Sequence, residues 1–134
     1  MCHGALAQPI AMVQPMQAVQ LAAAAAPRAV PGVFALQVQA TGTRDNRTYL
    51  NSERDYRDQR NLTTAITPEA ARQLQDRLGA NPVVALKGKR ILVRGAAVRT
   101  TIFFMAGGKP TDTYYFQTHV NVTESSQIEV QEGG

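Results

Sequence analysis

Tryptophan is absent from this 134-residue chain, and only four tyrosines and four phenylalanines are present. That scarcity argues against a surface built mainly from stacked aromatic rings. A single cysteine, Cys2, excludes an intrachain disulfide and any four-cysteine zinc site. Its neighbour His3 does not make a metal pair at a chain end. No run is long and apolar enough to cross a membrane as a helix. The glycine patterns that cradle phosphates, GxGxxG and GxxxxGK[ST], are missing. Ser52, Ser125 and Ser126 have no histidine and acid in a nucleophile setting. The interleaved arginines around Glu53, Asp55 and Asp58 compete with any divalent ion, and the EF-hand glycine is lacking. These absences predict a non-enzymatic protein without metal or cofactor.

Acidic residues are also missing from Arg77 to Lys109, a stretch that holds Lys87, Lys89, Arg90, Arg94 and Arg99. Such a strip attracts polyanions: nucleic acid, anionic lipid or acidic glycan. Earlier, Arg44, Arg47, Arg54, Arg57 and Arg60 alternate with Asp45, Glu53, Asp55 and Asp58 and largely cancel.

The chain divides at about residue 31. Met1 to Pro31 is interrupted by Pro9, Pro15, Pro27 and Pro31, and Ala22–Ala26 offers no polar face to orient a helix. Residues 1–31 therefore read as a disordered leader or degenerate signal segment. Two small-x-small positions suit a signal peptidase, after Ala7 and after Ala26. Residues 32–134 read as the folded domain.

Within that domain Phe34, Leu36 and Val38 alternate with Gln37 and Gln39, the period of a half-buried strand. Gly42 and Gly95 are expected at bulges. Asp45-Asn46-Arg47 is turn chemistry, Thr48 begins a second strand, and Leu62–Ile66 forms a third. Thr67-Pro68-Glu69 supplies an N-cap, a proline at the first helical position and an acid in the first turn. Ala70, Ala71, Leu74 and Leu78 give the apolar stripe, and Gly79 ends the helix. Two long strands separated by Gly107-Gly108 follow, with a short closing strand at Ile128 and Val130. The expected fold is all-β with one helix: a small OB-like β-barrel of three strands, a helix and two strands.

The segment Tyr49 to Ile66 resembles the "YLN-x-E-x-DYRD" region of small bacterial OB-domain proteins that are exported or membrane-associated. Leu86, Lys87, Gly88, Lys89, Ile91, Val93 and Gly95 match their "L-K-GK-x-I-x-V-x-G" strand, and Gln127-Ile128-Glu129-Val130 matches their closing "QIEV". Gln59 stands where proline is common, Leu62 replaces phenylalanine, and Arg99–Val122 is an inserted hairpin. The resemblance implies an OB-type domain that binds nucleic acid, in a periplasmic or secreted protein. It brings no catalytic residues.

OB-folds bind single strands across their second and third strands. The candidate nucleic-acid-binding residues are therefore Tyr49 and Tyr56 for stacking, and Arg54, Arg57, Arg60, Lys87, Lys89, Arg90 and Arg94 for phosphates. The bland alternative puts Tyr49 in the core and pairs the arginines with their acidic neighbours. A second function class is a protein-interaction or envelope-structural module using Phe103-Phe104-Met105 and Tyr114-Tyr115-Phe116 of the hairpin. His119 is expected to be an ordinary exposed histidine.

Overall fold

The computed structural model describes residues 11–131. The elements run β1 (Met12–Val13), α1 (Pro15–Ala25), β2 (Val30–Gln37), β3 (Ala40–Arg44), β4 (Arg47–Asn51), β5 (Leu62–Ile66), α2 (Pro68–Leu78), α3 (Pro82–Ala85), β6 (Arg90–Ala106), β7 (Lys109–Val122) and β8 (Ile128–Val130). The protein is mostly β-sheet, with strand order β1-β2-β6-β7-β5-β4-β3 and β8 also on β6. β5 lies parallel to β7, while β2–β6, β3–β4, β4–β5 and β6–β7 are antiparallel. β2 and β3 are separated in the chain by Val38 and Gln39 alone, yet β2 pairs with β6 and β3 with β4. One bent segment thus joins distant parts of an open strand order.

Alternation decides what fills that core. Phe34, Leu36, Val38, Leu50, Leu62, Ile66, Ile91, Val93, Val120 and Val122 are all buried. Each such side chain contributes roughly 1.5–3 kcal/mol relative to exposure. Thr67 Oγ1 accepts from the Ala70 amide at 3.2 Å, and Gly79 closes α2 in the left-handed conformation. Both hairpins have two-residue turns with positive φ, at Asp45-Asn46 and at Gly107-Gly108. Those turns match the twist of the strands they join.

Three expectations need correction. The first is a single helix, since α1 and α3 accompany α2. The second is an unstructured stretch up to Pro31, of which the described part carries β1, α1 and the start of β2. Pro15 occupies the first helical residue and Pro27 follows the helix end, so these prolines bracket α1 rather than interrupt it. Ala18 and Ala22, one turn apart, are fully buried in the main core. Cys2, His3 and the cleavage position after Ala7 lie outside the described residues.

The third concerns the two glycines. Gly42 pairs in register with Tyr49, and the bend falls at Val38–Gln39 instead. Gly95 pairs in register with Gly32. A Cβ there would sit 2.9 Å from Val120 Cγ1, so close approach is what requires glycine. The register shift in β6 falls between Phe103 and Met105.

Candidate nucleic-acid interface

Thr48 and Leu50 point into the core, which turns Arg47, Tyr49 and Asn51 to the other face of β4. Across the ladder Tyr49 pairs with Ala65, and Ala65 with Asn121; one step along, Thr63 pairs with His119. The small Ala65 between larger neighbours leaves a groove of about 420 Å³ lined by Arg47, Tyr49, Ala65, Thr67, His119, Asn121 and Thr123. No carboxylate lines it, and among the described residues Arg47 has no acidic partner.

His119 is half-buried, which corrects the exposed histidine expected from sequence. Its Nε2 lies 2.8 Å from Gln117 Oε1, and Gln117 Nε2 donates to Tyr115 Oη at 2.7 Å. Burial pushes the imidazole pKa down, so it is neutral at physiological pH; its N–H is donated to Gln117, which leaves a ring face and the Nδ1 acceptor, not a charge. The period-two row Tyr115-Gln117-His119-Asn121 is visible in sequence. What hid its role is the parallel β5–β7 pairing, a non-local contact that local pattern does not report.

The nine residues named from sequence fall in several places. Tyr49 is half-buried on the groove face, not in the core. Arg54 and Lys87 meet at a second cavity by the β2–β3 bend. Arg57 is 3.6 Å from Asp55 and stacks over the exposed Tyr56 ring, 5.6 Å from its centroid. Arg60 Nε and Nη2 donate to the two Asp58 oxygens at 3.0 and 2.7 Å. The Arg60 side-chain hydrogen bonds, then its backbone N–H, hold the Asp58 carboxyl down to about 2. Arg60 thus faces an ionised carboxylate at neutral pH. Lys89 lies in the turn before β6. Arg90 and Arg94 lie where β6 pairs with Gln37 and Val33 of β2, with β7 and β5 between them and β4. The structure does not assemble the nine into one surface.

The loop that carries Arg54 to Arg60 is built on buried polar side chains. Asn61 Nδ2 donates to Thr63 Oγ1 (2.9 Å) and Asn51 Oδ1 (3.1 Å), and Thr63 Oγ1 donates to Asn51 Oδ1 (2.7 Å). Asn61 Oδ1 accepts from the Glu53 amide (3.0 Å), and Ser52 Oγ accepts from the Leu62 amide (2.8 Å). Asp55 and Asp58 each accept from the amide two residues on. Much of the recognisable Tyr49–Thr63 wording thus encodes a loop anchor.

The inserted hairpin projects beyond the rest of the sheet. β2 covers β6 only to Ala97, and β5 covers β7 only from Thr118. Phe103, Phe104, Met105 and Tyr114 are exposed, while Arg99 lies 3.9 Å over the Phe116 ring. Gln59 Nε2 donates to the Phe116 carbonyl at 3.0 Å. Two departures from the resembled pattern, Gln59 and the hairpin, therefore touch each other.

No protein-family model and no curated protein matches the chain. Among solved structures it is similar to one described as a "putative aspartyl-tRNA synthetase from Leishmania major Friedlin". The identity is 9% and the TM-score 0.49, over 97% of this chain and 22% of that one.

Proposed function

We propose that the chain is a non-enzymatic OB-type barrel that binds single-stranded nucleic acid across the outer face of β4, β5 and β7. The bent β2–β3 segment, the position of α2 between β5 and β6 and the parallel β5–β7 pair support the OB assignment. In such barrels the second and third strands, here β4 and β5, form the binding face. The observation that carries the reading is the groove itself, with Tyr49 half-buried beside an Arg47 that has no acidic partner among the described residues, and a floor opened by Ala65. A base stacks on the tyrosine ring while the guanidinium meets the adjoining phosphate.

The test is fluorescence anisotropy of the full chain with a labelled mixed-sequence oligonucleotide, at low and moderate salt. Tyr49→Ala is expected to weaken binding about 5- to 150-fold, from roughly 1–3 kcal/mol of stacking, and Tyr49→Phe to retain it. Arg47→Ala is expected to lower the log–log salt slope by about 0.7, one phosphate contact on a single strand. Unchanged binding by Tyr49→Ala, with loss in Arg90→Ala/Arg94→Ala, would place the ligand on the β2–β6 side and sink the proposal.

A second reading, protein association through the hairpin, is favoured by its exposed aromatics and uncovered strand edges. It predicts concentration-dependent oligomers insensitive to salt, lost in Phe103→Ser/Tyr114→Ser, by sedimentation velocity. A monomer at all concentrations would remove self-association from that reading.

A further inference from the structure

The cavity at the β2–β3 bend is separate from the groove. Its volume is about 510 Å³, and Gln37, Val38, Gln39, Ala40, Arg54, Lys87 and Gly88 line it. The polar residues that line it are two cations and two carboxamides, all four exposed, with no acid among them. Among the described residues, Arg54 and Lys87 make no ion pair, and none of the four side chains makes a hydrogen bond. The carboxylates nearest in sequence to Arg54 are otherwise engaged: Asp55 with Arg57, and Glu53 with Arg60 at 4.0 Å.

Both cations stand on anchored backbone. Gly88 donates to the Val38 carbonyl at 2.7 Å, and Val38 donates to the Lys89 carbonyl at 2.8 Å. Gly88 holds a φ of +84°, which favours glycine, so the turn presenting Lys87 is set by sequence. Arg54 follows Glu53, whose amide is tied to Asn61. Water screens the repulsion between these two exposed cations, and an anion between them would be attracted by both. The fork of an arginine, the point charge of a lysine and two amide donors suit the oxygens of a phosphate. The volume leaves room for whatever the phosphate is attached to.

We propose that this cavity binds a phosphate group through Arg54 and Lys87, oriented by Gln37 and Gln39. The group belongs either to a free phosphorylated molecule or to the end of a nucleic-acid strand, and these two sources are separable. Amide and side-chain NMR of the full chain, titrated with inorganic phosphate against chloride at matched ionic strength, reads the site directly. Saturable shifts are expected at Gly88 and the Gln37 and Gln39 carboxamides. Arg54→Gln or Lys87→Gln should raise the apparent Kd at least 10-fold, while Tyr49→Ala leaves it unchanged. Tyr49→Ala thus separates this site from the groove, whichever way the groove's own test falls.

A second arm compares one oligonucleotide with and without a 5′-phosphate. Preference for the phosphorylated form, lost in Arg54→Gln, assigns the strand end as source. Saturable phosphate binding without that preference assigns a free phosphorylated molecule. Shifts no larger than those in chloride, or shifts that persist in both glutamine variants, would overturn the site.

Discussion

Replacing Ala22 by aspartate is expected to lower the melting temperature by roughly 15 °C or more, while Ala23→Asp, one residue on, shifts it by only a few degrees. Ala22 is fully buried in the main core; Ala23 is exposed on the same helix. The helix-propensity cost is the same at both positions, so the difference isolates burial. An aspartate at Ala22 either buries an unpaired carboxylate or lifts α1 from the sheet, exposing Phe34, Ala97 and their neighbours in one cluster. Uncovering on the order of 200 Å² of apolar surface costs about 5 kcal/mol, a large part of the roughly 5–15 kcal/mol of a whole domain. Deleting residues 1–26 should do at least as much. Of the two cleavage positions, the one after Ala7 leaves α1 attached and the one after Ala26 removes it. Equal melting of the Ala22 and Ala23 variants would mean the helix adds little to the fold.

The reason α1 is hard to read in sequence is the reason it packs well. Amphipathic helices reveal themselves by contrast between large apolar and polar positions. Here the buried face is Ala18 and Ala22, small residues that let the helix backbone approach the sheet closely, and the outer face is partly alanine as well. Leu21 and Met16, the residues that announce a core, are exposed. Helix α2 is the opposite case. Its cap, its stripe and its terminating glycine were all legible, because each is a local requirement met within a few residues.

The candidate site divides the same way. Period-two alternation sets Tyr115, Gln117, His119 and Asn121 on one face, and turn chemistry located Asp45-Asn46. The groove required knowing that β5 lies parallel to β7, which sets His119 beside Thr63 and Asn121 beside Ala65. Nothing within either strand specifies that pairing. The arginine-rich loop follows the alternative reading in part, for an electrostatic reason. Its cations are adjacent in sequence, but Arg57 and Arg60 are matched by acids within two residues, and only Arg54 turns to an acid-free cavity. The cancellation read along the chain thus holds for Arg57 and Arg60, and it is Arg54 that escapes it.

Asn61→Ala is expected to cost about 3 kcal/mol and roughly 10 °C in melting temperature, the larger share from the groups it leaves behind. Asn61 is nearly inaccessible and connects β4, β5 and the loop between them. Its loss deprives the Glu53 amide of an acceptor and the Tyr56 carbonyl of a donor, while Asn51 keeps only Thr63. The Ser52 and Thr63 hydroxyls, which also lose Asn61, are buried, and buried groups stranded in this way cost more than the mean worth of a hydrogen bond. Asp55→Asn, exposed on the same loop, should stay within about 0.5 kcal/mol. A cycle of Asn61→Ala with Asn51→Ala should give a coupling above roughly 1 kcal/mol, as expected for partners in one network. Hydrogen exchange at Glu53 should accelerate in Asn61→Ala before the rest of the sheet opens, because its amide bonds directly to Asn61. Arg54, next in the chain, would then lose its fixed position, and phosphate affinity at the bend should fall without any change to a charge. A loss under 1 kcal/mol, with Glu53 exchange unaltered, would show that the buried polar cluster does not hold the loop.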